Sequence, residues 1–140
     1  MECYNCGAEL TKDDFCPDCG IDVSVYKKII RMANLCYNEG LARASIRDLT
    51  GAAEYLKACL RYNKNHKEAR NLLGLIYFEM GETVEALSQW VISKNLHPRD
   101  NIAARYLDEV QKNPAKLEAV NLTIKKYNQA LTYCRQNSCD

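Results

Sequence analysis

Two Cys-x-x-Cys pairs lie within the first twenty residues of this 140-residue chain, and no other feature constrains its fold as strongly. The four thiols are Cys3, Cys6, Cys16 and Cys19. A zinc ion binds four thiolates tetrahedrally at about 2.3 Å, so each pair must curl into a tight turn. Gly7 and Gly20 follow the pairs and accept the positive φ that such a turn requires. The spacing therefore predicts one closed metal site.

Other uses of paired thiols remain open on these residues. One Cys-x-x-Cys pair is compatible with a redox dithiol, and four cysteines are compatible with two disulfides. Iron is the closer competitor, because tetrahedral thiolates accept either metal, but zinc is favoured. Residues 8–14 read as a short strand and a polar turn, which predicts a hairpin between the two pairs. So short a segment has little core, so we expect it to be unstructured without metal.

Composition limits the remaining function classes. The chain is 47% apolar and 26% charged with a net charge of +1, which suits one modest domain plus the cysteine segment. So weak a charge does not favour nucleic acid as a partner. No apolar run reaches the roughly 20 residues of a membrane span, which predicts no membrane partner. Eight cysteines without a secretory pattern fit a reducing compartment, so we expect a cytoplasmic protein.

Residues 3–10 and 15–20 resemble the short zinc ribbon found at the start of many bacterial multidomain proteins. That resemblance covers about a seventh of the chain. It implies a structural or docking element holding one structural Zn²⁺, with no open coordination position and no chemistry of its own.

An internal repeat follows Ile21, in a region of helical periodicity. Four size-matched pairs are each 34 positions apart: Gly40 and Gly74, Ala52 and Ala86, Leu56 and Trp90, and Cys59 and Ser93. Residues 1–21 are assigned to the zinc ribbon that the resemblance implies, and the helical pattern predicts a helical domain over residues 22–140. Within that domain we expect repeats near 33–66, 67–100 and 101–134, the last with a divergent second helix.

The second repeat carries a tetratricopeptide signature, namely Leu73, Gly74, Tyr77, Gly81, Ala86, Trp90 and Pro98. Together with the ribbon, it makes the chain resemble bacterial zinc-ribbon plus tetratricopeptide repeat proteins. The resemblance implies a mostly α fold, an α-solenoid of about 2.5 to 3 helical hairpins with a capping helix. Gly74 and Ala86 are expected where two helices cross closely, and Gly81 where the first helix stops.

The last predicted helix presents an apolar stripe of Leu117, Val120, Ile124, Tyr127, Leu131 and Cys134. A terminal helix in a solenoid covers the exposed core of the last repeat, which favours a capping role. The same stripe is compatible with a coiled-coil seam between two copies, so a homo-oligomer is the alternative.

The tetratricopeptide resemblance also implies a concave groove lined by the first helix of each repeat. The corresponding positions are Tyr37, Leu41, Asn71, Leu75, Phe78, Glu79, Arg105, Glu109 and Lys112. We therefore expect a non-enzymatic adaptor that binds a segment of a partner protein. A nucleic-acid-associated ribbon protein and a rubredoxin-like iron redox module are the alternatives. His66 and His97 read as polar residues at helix ends, since nothing in the sequence places a catalytic partner beside them.

Overall fold

The computed structural model of the chain describes residues 1–113 and 115. Within them, five helices follow the N-terminal cysteine segment: α1 (Ser24–Ser45), α2 (Leu49–Tyr62), α3 (Lys67–Glu79), α4 (Thr83–Leu96) and α5 (Ala103–Gln111). The β structure of this part of the chain is limited to isolated bridges near the cysteines. The predicted mostly α fold is confirmed. The apolar stripe that begins at Leu117 lies outside the described residues.

The helices form hairpins whose boundaries repeat along the chain. Helix α1 packs against α2 and α3 packs against α4, while α5 packs against α4. Helices α2 and α4 each contain 14 residues, and their first and last residues are both 34 positions apart. Helices α1 and α3 end at Ser45 and Glu79, which again differ by 34. The 34-residue spacing of the matched pairs in the sequence is therefore also the spacing between equivalent helix ends.

Each hairpin closes over a glycine. A Cβ atom on Gly40 would lie 2.9 Å from Cγ of Leu56, and one on Gly74 would lie 2.6 Å from Cδ1 of Trp90. Both distances are too short for non-bonded carbon atoms, so these positions accept only glycine without movement of a neighbour. All eight residues of the four matched pairs are buried. The sequence prediction that small residues set the helix crossing agrees with this packing.

The turns inside the two hairpins share one hydrogen-bond pattern. Gly81 has φ +81° after α3, and Glu82 N–H donates to Tyr77 O at 2.8 Å. Arg47 is the equivalent residue after α1; it has φ +59°, and the next N–H donates to Arg43 O at 3.0 Å. A left-handed residue that ends a helix in this way is usually glycine. Arg47 adopts the conformation without glycine's freedom.

The buried apolar residues of the helices form two clusters. The first joins the two hairpins, because it contains Leu56 of α2 together with Leu73 and Ile76 of α3. The second is built around Trp90 and Val110 with Ala86 and Ala103. The helical periodicity of the sequence predicts a buried stripe on α1 that includes Ile29 and Leu41, but Ile29 is 38% exposed and Leu41 is 44% exposed.

Candidate metal centre and helical groove

The two cysteine pairs form the same backbone turn, here called a knuckle. In the first knuckle, covering residues 3–8, Cys3 N–H donates to Ala8 O at 2.8 Å and Gly7 N–H donates to Cys3 O at 2.9 Å. The second knuckle, residues 16–21, repeats both bonds at the equivalent positions, each at 2.9 Å. Gly7 and Gly20 have φ +76° and +70°, as the spacing predicts. The turns thus bring each pair of thiols to the same side of its loop.

A bridge flanks each knuckle, and this differs from the hairpin expected between them. Glu2 pairs with Glu9, and Phe15 pairs with Asp22, both antiparallel. The knuckle turn returns the chain to the residue just before its own first cysteine, so pairing is local to each knuckle. The sequence does contain a signal for this local pairing, because Cys-x-x-Cys-Gly occurs twice. Two equivalent motifs predict two equivalent bridges, just as they predict two equivalent pairs of thiols.

The four sulfur atoms lie within 4.8 Å of one another. The Sγ atoms of Cys3 and Cys19 are 3.8 Å apart, and those of Cys6 and Cys16 are 3.6 Å apart. A tetrahedron with metal–sulfur bonds of about 2.3 Å has edges of about 3.8 Å, whereas a disulfide brings sulfurs to about 2.05 Å. The arrangement therefore fits one tetrahedral metal ion with all four positions filled by protein. It suits zinc and iron alike.

Hydrogen bonds and the proximity of the thiols make this cluster suited to a cation. The Asn5 side chain and then the Ile21 backbone N–H lower the pKa of the Cys19 thiol to about 6. The Ala8 N–H also lowers the pKa of Cys6, but desolvation and the adjoining sulfurs outweigh it and raise that pKa to about 12. Four neighbouring thiolates repel one another, and a divalent cation removes that repulsion.

Three predicted groove residues border one cavity of about 170 Å³ at the second hairpin. Its lining includes Leu75, Phe78, Trp90, Tyr106, Val110 and Glu109. The rings of Trp90 and Tyr106 lie 5.2 Å apart, and those of Trp90 and Phe78 lie 5.9 Å apart. The structure therefore places Leu75, Phe78 and Glu109 together, at an apolar surface with one carboxylate.

The other uncharged groove residues lie elsewhere. Tyr37 packs against the first core cluster with its ring 4.9 Å from that of His66, and burial raises its pKa. Asn71 is 7% exposed, and its amide nitrogen donates to Asn101 Oδ1 at 2.9 Å. Leu41 is exposed on α1. Tyr37 and Asn71 thus face the interior rather than an open surface.

The charged groove residues are engaged in ion pairs on the surface. Glu79 meets Arg47 at 3.2 Å across the first and second hairpins. On α5, Arg105 pairs with Glu109 at 3.2 Å, and Lys112 pairs with the carboxylate four residues earlier at 2.7 Å. Exposed pairs of this kind contribute about 0 to 1 kcal/mol each. The ion pairs at the α5 end therefore contribute little to the stability of the fold.

Asn101 joins the two sides of the second hairpin, and sequence reasoning missed it. Its Oδ1 accepts from Asn71, while its Nδ2 donates to Ser93 Oγ at 3.0 Å and to His97 O at 3.1 Å. Trp90 Nε1 donates to the Asn71 carbonyl at 3.2 Å. Among the described residues Asn71 Oδ1 has no hydrogen-bond partner. No spacing in the sequence relates Asn71 to Asn101, because the contact joins separate parts of the fold.

The two histidines lie at helix ends. His66 is the N-cap of α3, where its Nδ1 accepts from Ala69 N–H at 3.2 Å. Desolvation lowers the pKa of His66, partly opposed by the nearby Glu68 carboxylate. The N-cap role requires a neutral ring, since an imidazolium has no acceptor. At the end of α4, Nε2 of His97 contacts Asn65 O at 2.7 Å.

No protein-family model matches this chain, and no curated protein matches it. Across residues 1–113 and 115, every helix is too short or too polar to cross a membrane.

Proposed function

We propose that this chain is a non-enzymatic adaptor of the tetratricopeptide type with a structural zinc ribbon. The four-sulfur cluster is the observation that carries the proposal. Its sulfur separations match those of a tetrahedral tetrathiolate site, and such a closed site has no position for substrate or water. Zinc then supplies folding energy to a segment with few buried residues, rather than chemistry.

The helical hairpins supply the surface for a partner segment. The cavity formed by Leu75, Tyr106 and neighbouring apolar residues provides an apolar floor, and the Arg105–Glu109 pair provides charges beside it. One apolar side chain buried there contributes about 1.5 to 3 kcal/mol, which suits recognition of a short protein segment. The partner is therefore a protein or peptide rather than a small polar metabolite.

Metal analysis of the purified chain tests the ribbon. We expect one zinc per chain, a colourless protein, and loss of bound metal in Cys16→Ser. Ser88→Ala, at an exposed position on α4, is the matched control and should keep the metal. Iron with visible colour would support the redox alternative, and a metal-free disulfide form would overturn the ribbon.

Affinity capture from the native cell tests the helical surface. Leu75→Glu should lose the partner, because it places a carboxylate in the apolar cavity. Val91→Glu is the control, since Val91 is 45% exposed and lies outside that cavity. Far-UV circular dichroism must show both variants folded. Equal capture by the two variants would contradict the adaptor proposal.

A second candidate is a nucleic-acid-associated protein, favoured by one observation. Lys12, Lys27 and Arg31 line a cavity between the ribbon and α1, together with Met1. The N-terminal amine of Met1 already pairs with Glu9 at 2.8 Å, which weakens the positive field. Binding to single-stranded RNA that falls steeply between about 50 and 200 mM salt would support this candidate, and salt-independent or absent binding would exclude it.

A further inference from the structure

Helix α1 begins nine residues before the repeated part of the fold. Helix α3 starts at Lys67, and the residue 34 positions earlier is Ala33, the first buried residue of α1. Residues 24–32 therefore have no counterpart in the second hairpin. None of these nine residues is buried. They form an extension whose helical state needs its own explanation.

The extension has weak support of its own. The N-cap of this extension is Val23, whose apolar side chain cannot accept a hydrogen bond. The side-chain acceptor for its first turn is Asp22 Oδ1, which accepts from Ser24 N–H at 2.8 Å, and Asp22 is itself bridged to Phe15 beside the second knuckle.

The extension also lacks support from the core clusters. It contains the β-branched residues Val25, Ile29 and Ile30, and the core clusters of the two hairpins include none of the three. Short helical segments without packing are marginal in water. If residues 24–32 were supported only by being continuous with the rest of α1, these turns would be prone to fray.

Contacts with the ribbon supply the missing support. Val23 is fully buried in the cluster that contains Cys3 and Cys16. The ring of Tyr26, in the first turn of α1, lies 5.2 Å from the ring of Tyr4 in the first knuckle. These contacts depend on the position of both knuckles, which a metal ion bound by the four sulfurs would hold together.

One lysine on α1 forms hydrogen bonds with the turn between the knuckles. The Lys27 ammonium donates to the carbonyl of Thr11 at 2.6 Å and also to the carbonyl of Asp13. Val23 N–H donates to Asp14 O at 2.8 Å, so the same turn binds the chain at the start of α1. The carbonyls converge on Lys27 only while the turn keeps its shape.

We propose that metal binding at the four cysteines controls whether residues 24–32 are helical, with Lys27 as the positioning residue that transmits it. This inference rests on the proposed metal site. When the metal leaves, the knuckles lose their shared anchor, the Thr11 and Asp13 carbonyls disperse, and α1 begins near Ala33. The hairpins beyond Ala33 keep their own buried clusters and remain folded.

The transition also dismantles a cavity at this junction. Tyr4, Tyr26, Ile29, Ile30 and Tyr62 help to line a space of about 660 Å³ between the first knuckle, α1 and the end of α2. Tyr4 belongs to the ribbon, and three of the others belong to the extension. Metal release therefore removes most of its lining while leaving the second-hairpin cavity around Leu75 intact.

Hydrogen–deuterium exchange on the full chain, with and without a strong zinc chelator, tests the inference. Chelation should speed the exchange of amides 28–32 by at least about tenfold, while amides in α4 change by less than about twofold. Bound metal is measured on the same samples. A chain that binds no metal would overturn both proposals, whereas metal binding with unchanged exchange in residues 28–32 would overturn this one alone.

Lys27→Met separates the role of the lysine from that of the ligands. With metal bound, this variant should speed exchange in residues 28–32 by about threefold, because the methionine stem keeps its packing but loses both donor bonds. Lys28→Met, at an exposed neighbouring position, is the control and should leave exchange unchanged. Equal exchange in the two variants at full metal occupancy would remove Lys27 from the mechanism.

Discussion

Adding one methyl group at Gly74 tests the close helix crossing in the second hairpin. The new Cβ would collide with the indole of Trp90, lying 2.6 Å from Cδ1 and 2.8 Å from Cε2. Trp90 is 2% exposed and packs against Tyr106, so the ring has little room to move. Any shift also lengthens its hydrogen bond to the carbonyl of Asn71, now 3.2 Å.

The size of the effect follows from three opposing contributions. Overpacking a rigid core costs about 1 to 3 kcal/mol, and loss of one buried hydrogen bond costs about 1 kcal/mol. Alanine is the better helix former by about 1 kcal/mol, which offsets part of the loss. We expect Gly74→Ala to lower the free energy of unfolding by about 2 kcal/mol.

Urea denaturation followed by far-UV circular dichroism measures this change, with zinc present throughout. Gly40→Ala is the matched control, because its methyl meets Leu56, whose side chain adjusts more easily, and it should cost less. In a Trp90→Leu background, Gly74→Ala should cost about as little as Gly40→Ala. Gly74→Ala with unchanged or higher stability would refute the collision argument.

Three further predictions concern the turn after α1, the start of α3 and the metal centre. Arg47→Gly should stabilise the fold by about 1 kcal/mol by relieving φ +59°, and Gly81→Ala should destabilise it similarly; an unchanged urea midpoint for Arg47→Gly contradicts this. Burial lowers the pKa of His66 in the folded chain. As the pH falls below about 6.5, His66 is therefore protonated in the unfolded chain before it is protonated in the folded chain. The free energy of unfolding should decrease as the pH falls from about 6.5 to the pKa of His66 in the folded chain. His66→Asn keeps an acceptor for Ala69 N–H, so Tm should depend less on pH in this variant. A dependence of Tm on pH equal to that of the unaltered chain would refute the assignment to His66. Cys16→Ser should lose the metal while keeping most of the helical signal, and collapse of that signal would show that the hairpins depend on the ribbon.

Much of the architecture could be predicted because it depends on spacing along the chain. The glycines after each cysteine pair adopt the positive φ that the turns require, and Gly81 ends α3 in the left-handed region. Gly74 lies at the crossing because only a residue without Cβ fits against Trp90. Each of these requirements acts over a few residues or one helical repeat, so it leaves a regular mark in the sequence.

Other features could not be predicted because they join residues with no regular separation. The periodicity of α1 does not reveal that Ile29 and Leu41 are exposed. The groove positions taken from a family resemblance likewise do not show that Asn71 faces Asn101 in the interior. Exposure of a side chain depends on the width of the neighbouring helix surface, which a one-dimensional pattern does not contain.

The amino-acid order by itself determined the four cysteines that can bind a metal ion, the hairpin length and the residues at each helix crossing, since those depend on local backbone geometry and side-chain size. Only the tertiary structure decided that Lys27 binds the carbonyls of the turn between the knuckles and that Tyr26 meets Tyr4. A lysine and a tyrosine at the start of a helix are common, and their partners in the preceding ribbon become neighbours only after the knuckles have folded back onto α1.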